Sequence, residues 1–308
     1  MLKTTEKFAT RSTQAIVKQI EGFGLSYVFN PSVCAVEDGF WVAFRGFGHD
    51  HAKPFQAFLA RLGKDGTVLD PPVNLNHRLE ALIQAPVCDP KVFKLGDRTW
   101  MTFNTGHFEM PNRIFIVDLE RGDFAPLEVK FEERSLIEKN WSFILSGGKL
   151  LAVYSSDPLI ILEEWERSDT AITFGPSRGL ANVDGKGRVT QTRKPKFTIG
   201  TPFTPMPATS DTFACIIHRR FYLRKKRCYF GKPGLLTFSD GTARFERGSD
   251  LWCHSYRDLL GATQKHNPSL LSCTYFSGLS AFDDRIYASY GVNDVDYSIV
   301  EMPPEAWA

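Results

Sequence analysis

Asp89-Pro-Lys-Val-Phe-Lys-Leu-Gly-Asp-Arg-Thr-Trp-Met-Thr-Phe-Asn104 is a compact structural phrase: a polar starter before Pro, a short β-run, a turn, and a second β-run. Four other stretches repeat it. They are Asn30-Pro31…Trp41-Val-Ala-Phe-Arg45, Asn140-Trp141…Leu150-Leu-Ala-Val-Tyr154, Thr201-Pro202…Phe213-Ala-Cys-Ile-Ile-His218 and Ser277-Gly278…Arg285-Ile-Tyr-Ala-Ser-Tyr290. One supersecondary unit recurring along a chain is the mark of radial repetition, and β-units of this size are propeller blades. The starters lie roughly 50 to 75 residues apart, which leaves room for four strands per blade. A β-sandwich also has many short strands, but it does not predict one phrase five times. The expected fold is all-β, a five-bladed β-propeller.

Further strand-like runs follow each phrase: Phe55–Leu62, Arg113–Leu119, Leu159–Leu162 and Gly234–Phe238. Between them stand turn-forming groups, Lys64-Asp-Gly66, Gly147-Gly148 and Ser239-Asp-Gly241. The last run, Tyr297–Met302, is expected to close the ring against the first. Residues 1–28 form an N-terminal arm with a short helix over Gln14–Ile20 that Gly22 and Gly24 stop. Residues 29–308 form a single domain, with 178–198 as a loop-like insertion near one face.

Bulk properties narrow the class. The 308 residues are 43% hydrophobic and 13% aromatic, ample for a large core, and their net charge of +2 offers no general attraction to a polyanion. Nucleic acid is therefore not an expected partner. The N-terminus lacks the apolar core of a secretory signal, and no apolar run reaches the roughly 18 residues of a membrane span. A cytoplasmic protein is expected. The cysteines at 34, 88, 215, 228, 253 and 273 show no metal-finger spacing and read as small buried residues kept reduced. Walker, dinucleotide, H-E-x-x-H, G-x-S-x-G and calcium-loop patterns are absent, so neither cofactor nor metal is expected.

Departures from the repeat mark the candidate site. Four starters are neutral, whereas Asp89 is a carboxylate. Projecting towards a propeller axis, it would supply the proton donor or base that glycosidic chemistry needs; read blandly, Asp89-Pro90 is only a turn starter. Glu138-Lys139-Asn140-Trp141 opens the third blade with a second carboxylate and a cation. Trp141 can stack on a sugar or belong to the core. His218 begins His218-Arg-Arg-Phe-Tyr-Leu-Arg-Lys-Lys-Arg227, a solvated face, an anion site, or a patch for an acidic polymer. Arg45 and Asn104 occupy matching strand ends. Asp294, in Tyr290-Gly-Val-Asn-Asp294, either shapes a turn or receives sugar hydroxyls. Trp41 and Trp100 are expected in the core.

At these residues the chain resembles the five-bladed propeller carbohydrate enzymes, closest to the inverting β-mannoside phosphorylases and hydrolases and related mannosyltransferases. Asp89-Pro90-Lys91 resembles that group's Asp-Pro-Arg segment, with Lys91 replacing Arg, and Glu138-Lys139-Asn140 stands where the group has a Lys-Asp pair beside phosphate. Ile199-Gly-Thr-Pro202 with Ile217-His218 resembles its Gly-Thr-Pro-Pro and Tyr-His-Gly segments, Arg219 replacing the last Gly. Tyr229-Phe-Gly231…Leu235-Leu236 and Tyr290-Gly291…Asp294 are similar to two further segments. The resemblance implies Asp89 as general acid and His218 as a phosphate contact.

The expected function is glycosyl transfer involving a carbohydrate and phosphate, a sugar phosphate or a nucleotide sugar. Asp89 would act at the glycosidic oxygen, and Lys139, His218 and Arg219 or Arg45 would neutralise phosphate. Asn104, Asn140, Trp141, Tyr290 and Asp294 would hold the sugar. The alternatives are a hydrolase using Asp89 and Glu138, and a non-catalytic glycan-binding propeller.

Overall fold

The computed structural model describes residues 1–47, 55–177, 197–206, 209, 211–223, 225–260 and 267–307. Positions 178–196 of the expected insertion and Arg224 of the basic run lie outside them.

Among the described residues the five phrases open five consecutive antiparallel meanders. The first runs Ser26–Val36, Gly39–Phe47, Gln56–Gly63 and Val68–Asn74. The second runs Cys88–Leu95, Arg98–Asn104, Ile114–Asp118 and Leu127–Lys130. The third runs Ser142–Ser146, Lys149–Ser156, Leu159–Arg167 and Ala171–Pro176. In the fourth, Phe197–Ile199 and Thr204–Pro205 both pair with Thr212–Leu223, followed by Lys226–Ser239 and Thr242–Arg247. The fifth runs Leu270–Phe282, Arg285–Val292 and Asp296–Met302. The fold is all-β and of the propeller type.

The turns follow from residue type. Gly147 and Gly148 have φ of 56° and 75°, and Asp240 and Gly241 have 49° and 72°, the left-handed pair that a two-residue hairpin loop needs. The starters share the same device. Asn30, Asp89 and Asn140 have φ of 50°, 49° and 67°, tolerated because short Asn and Asp side chains suit that conformation. Pairing shifts register at Asn30-Pro31, at Asp89-Pro90 and at Ser277. Each is a bulge where the ladder lapses and a side chain is re-aimed.

Apolar clusters join each meander to the next. Cys34, Ala43 and Leu59 meet Val92, Met101 and Phe115; Phe93, Trp100 and Ile116 meet Phe143, Ala152 and Leu162. Ile144, Val153 and Ile161 meet Phe213 and Cys215, and Ala214 and Ile216 meet Phe276, Ala288 and Val300. The fifth meander returns to the first, Tyr287, Tyr297 and Ile299 packing with Val33, Val42 and Phe44. All six cysteines are buried and free.

Among the described residues hydroxyls bridge four of these five joints. Ser32 Oγ accepts from Val92 N (3.0 Å), Ser142 Oγ from Phe203 N (2.8 Å) and Thr204 Oγ1 from Ala281 N (2.9 Å). At the closing joint Ser280 and Ser289 accept from Ala35 N (2.9 Å) and Val33 N (3.1 Å), while Ser277 donates to Pro31 O (2.7 Å). A hydrogen bond contributes about 1 kcal/mol, whereas burying one Leu or Phe side chain contributes roughly 1.5–3 kcal/mol. The apolar clusters thus do most to hold the meanders together, the hydroxyls satisfy strand edges, and two joints add strand pairing: Leu127–Lys130 runs parallel to Ala171–Pro176, and Lys226–Ser239 parallel to Leu270–Phe282. Asp296–Met302 pairs with Arg285–Val292 rather than with the first meander, so closure runs through side chains.

Residues 1–28 are built into this body. Leu2–Thr4 pairs in parallel with Leu251–Cys253. The helix Arg11–Glu21 starts at Thr10, whose hydroxyl accepts from Thr13 N (3.3 Å), and ends at Gly22. Its Ile16 and Ile20, one turn apart, are fully buried in the cluster between the fifth and first meanders.

Candidate active site

A cavity of about 640 Å³ brings Arg45, Asp89, Lys139, Asn140, His218 and Asp294 together. Six residues from all five meanders or the segments leading into them therefore face one space.

Asp89 organises one wall. Its bulge aims the carboxylate at two cations, Arg45 Nη1 at 2.6 Å from Oδ1 and Lys139 Nζ at 3.1 Å from Oδ2. Arg45 is held between the rings of Phe29 and Phe55, 4.9 and 5.0 Å from their centroids. Burial alone would raise the Asp89 pKa. The charges of Arg45 and Lys139, with Lys91 behind, outweigh it and hold the carboxyl well below the usual range. Asp89 is thus an ionised carboxylate in the unliganded protein.

Lys91 is buried behind Asp89. Its ammonium donates to Asn140 Oδ1 (2.7 Å) and to Gly200 O (2.5 Å), tying the second meander to the third and fourth at the centre. Burial pulls its pKa down to about 7, with Lys139 adding to the effect and Asp89 opposing it. Asn140 also accepts from Tyr275 OH at 3.2 Å.

His218 is only 1% exposed and packs against Tyr275, ring centroids 4.2 Å apart. Neither ring nitrogen makes a well-formed hydrogen bond. Burial, and then the Lys91 charge, push its pKa down to about 3 against a weak pull from the Phe276 backbone. It is a neutral imidazole with unused hydrogen-bonding capacity, bordering the cavity.

The other residues singled out from the sequence are placed differently around this wall. Glu138 borders the cavity, but its oxygens are occupied. Trp141 Nε1 donates to Oε2 at 3.0 Å, while Tyr154 OH and Ser135 N donate to Oε1. It clamps its own loop and is poorly placed to activate water. Trp141 also borders the cavity, but it is buried and packs edge-to-face on Tyr154 at 5.0 Å. Asn104 lies behind Asp89, beside a void of about 10 Å³, where its Oδ1 accepts from Gly106 N at 2.9 Å. Tyr290 is fully buried, its hydroxyl bonded to Thr5 (2.9 Å) and His254 (3.0 Å), so it anchors the N-terminal segment.

Arg219 is exposed and points away from the cavity. Strand side chains alternate, so the face that carries His218 continues through Arg220 and Tyr222, and both line the cavity. Arg227 and Tyr229 line it from the returning strand. These residues, with Lys91 and Tyr275, were not singled out as site residues from the sequence. Strand parity counted from His218 is the signal that finds the first pair. Trp100 lies in the core, and Trp41 is half-buried beneath the Arg61 guanidinium at 4.8 Å.

Among the described residues no cluster of three His, Cys, Asp or Glu side chains is set to hold a metal ion. Nor is any described helix long and apolar enough to cross a membrane.

No family model matches the chain, and no curated protein matches its sequence. Solved structures do resemble it. A β-1,2-mannobiose phosphorylase from Listeria innocua, in complex with β-1,2-mannobiose, superposes with a TM-score of 0.56 at 14% identity, covering 92% of this chain and 91% of that one. A glycosyl hydrolase from Bacteroides ovatus gives 0.59 at 12% identity, over 91% and 85%. A structure from work on the GH130 family of mannoside phosphorylases, which contains hydrolases that target β-1,2 mannosidic linkages in Candida mannan, gives 0.58 at 13%, over 91% and 85%. At such identities the likeness is one of fold: over nine-tenths of its length, this chain is folded like these carbohydrate enzymes.

Proposed function

We propose that the five meanders act as five blades around one axis, and that their shared cavity makes or breaks a glycosidic bond with phosphate as the second reactant. The observation that carries this reading is Asp89 gripped by Arg45 and Lys139 at a cavity wall. A carboxylate so held cannot donate a proton while the cations serve it alone. An incoming phosphate competes for both cations and brings negative charge beside Asp89, and both effects raise the carboxyl pKa.

In phosphorolysis Asp89, protonated from solvent, gives its proton to the leaving glycosidic oxygen. A phosphate oxygen attacks the anomeric carbon as the carbon–oxygen bond breaks, and Asp89 is left ionised beside its cations. The reverse reaction returns the proton and releases phosphate. Arg45 and Lys139 stabilise the anion throughout, and neutral His218 supplies a donor without adding charge. Plain hydrolysis needs a second carboxylate to activate water, and the hydrogen bonds that occupy Glu138 weigh against it there.

The comparisons make β-mannosides the first substrates to try. β-1,2-Mannobiose and other β-mannobioses, incubated with and without phosphate, should be cleaved only with phosphate, releasing a sugar 1-phosphate. Asp89→Asn should lower turnover by about 10²–10⁴-fold while phosphate binding persists. Cleavage to free sugars at the same rate without phosphate would replace this reading by hydrolysis, and unchanged turnover in Asp89→Asn would remove Asp89 from the chemistry.

A further inference from the structure

The hairpin of the fourth meander continues outward past His218, and its cavity face carries a two-by-two pattern. Arg220 lies directly opposite Tyr229, and Tyr222 directly opposite Arg227. All four side chains line the cavity. The two arginines are therefore diagonal neighbours on adjacent strands, with backbones roughly 7–8 Å apart and side chains long enough to meet on one anion. The Arg220 guanidinium lies 5.9 Å from the Tyr222 ring centroid. Among the described residues neither Arg220 nor Arg227 has a carboxylate at ion-pair distance, whereas Arg45, Arg98, Arg113 and Arg167 each have one.

A strand advances about 3.3 Å per residue, so Arg220 stands roughly 7 Å further along the hairpin than His218, and Tyr222 roughly 13 Å. Such a distance suits two anionic groups separated by a sugar ring. Paired guanidiniums match a phosphate ester by bidentate hydrogen bonding, and flanking tyrosines offer flat walls to the sugar.

We infer that Arg220 and Arg227, walled by Tyr222 and Tyr229, form a second anion subsite at the outer end of the cavity, and that it binds the phosphate ester of a phosphorylated sugar acting as acceptor or leaving group. This rests on the reading of the Asp89 wall as the glycosyl-transfer centre, and would give the enzyme a preference for charged over neutral sugars.

The probes are glucose 6-phosphate and mannose 6-phosphate against glucose and mannose, titrated calorimetrically into the full chain. The phosphorylated sugars should bind at least about tenfold more tightly than the free ones, the scale of one charge-assisted contact. Arg220→Gln/Arg227→Gln should abolish that difference, with its thermal unfolding midpoint unchanged. Lys139→Met should leave the difference in place. No preference in the wild type, or a preference that survives loss of both arginines and disappears in Lys139→Met, would overturn the subsite. Those results would leave phosphate-dependent cleavage standing; conversely, absence of that cleavage would sink the catalytic reading while calorimetry still tested the subsite.

Discussion

Lys91 is an ammonium sealed from water, with two neutral acceptors and the Asp89 carboxylate behind it. Its folded pKa of about 7 lies below the roughly 10.4 of an unfolded lysine. Between those values the unfolded chain binds one more proton than the folded chain, so this group makes stability rise with pH from about 7 towards 10. Below pH 7 both states hold the proton and the contribution is flat, at its least favourable. Lys91→Met should remove that rise, seen as a smaller difference between urea midpoints at pH 7 and pH 9 than in the wild type; an unchanged difference would place the titration elsewhere. Asp89 could be found from sequence because it breaks a repeat. The burial of Lys91 could not, because its partners Asn140 and Gly200 belong to other meanders.

At the scale of elements, the segment leading into the third meander shows a carboxylate used as a brace. Glu138 accepts from an indole, a phenol and a backbone amide, and Arg134 Nε lies 3.7 Å from Oε2. Glu138→Gln turns one acceptor into a donor that must face one of these donors. It should cost about 1–3 kcal/mol in chemical denaturation while the folded variant keeps the turnover proposed for the wild type within several-fold. A loss of turnover as large as that expected for Asp89→Asn, with stability intact, would return Glu138 to the chemistry. The sequence shows Glu138 beside Lys139, and both border the cavity. What the sequence lacks is the location of Tyr154, 16 residues on, which claims one oxygen. A similar lesson holds in the fourth meander: the basic run was visible, but the alternation of strand faces sends Arg220 inward and Arg219 out.

Across the whole molecule, the repeated phrase carried the fold because every copy must start a strand, turn and return, and those demands leave local marks. The joints between meanders were less legible, since they depend on which serine or threonine meets which amide across the interface. Ser280→Ala would leave the buried Ala35 N–H without its acceptor, and should lower stability by about 1–3 kcal/mol. A wild-type midpoint would show that this hydrogen bond adds nothing to the closing joint. These joints also bear on how such a chain can change over time. A strand ladder binds neighbours through a continuous register, so a shift in one must be answered along the length of the other. Among the described residues three of the five joints, first to second, third to fourth and fifth to first, carry no such ladder; a small hydroxyl and an apolar rim suffice there, and many residue combinations supply them. Individual meanders can accordingly drift, lengthen or acquire new charge with little correlated change next door. Chains built this way can share an architecture at 12–14% identity while the residues that line the cavity differ.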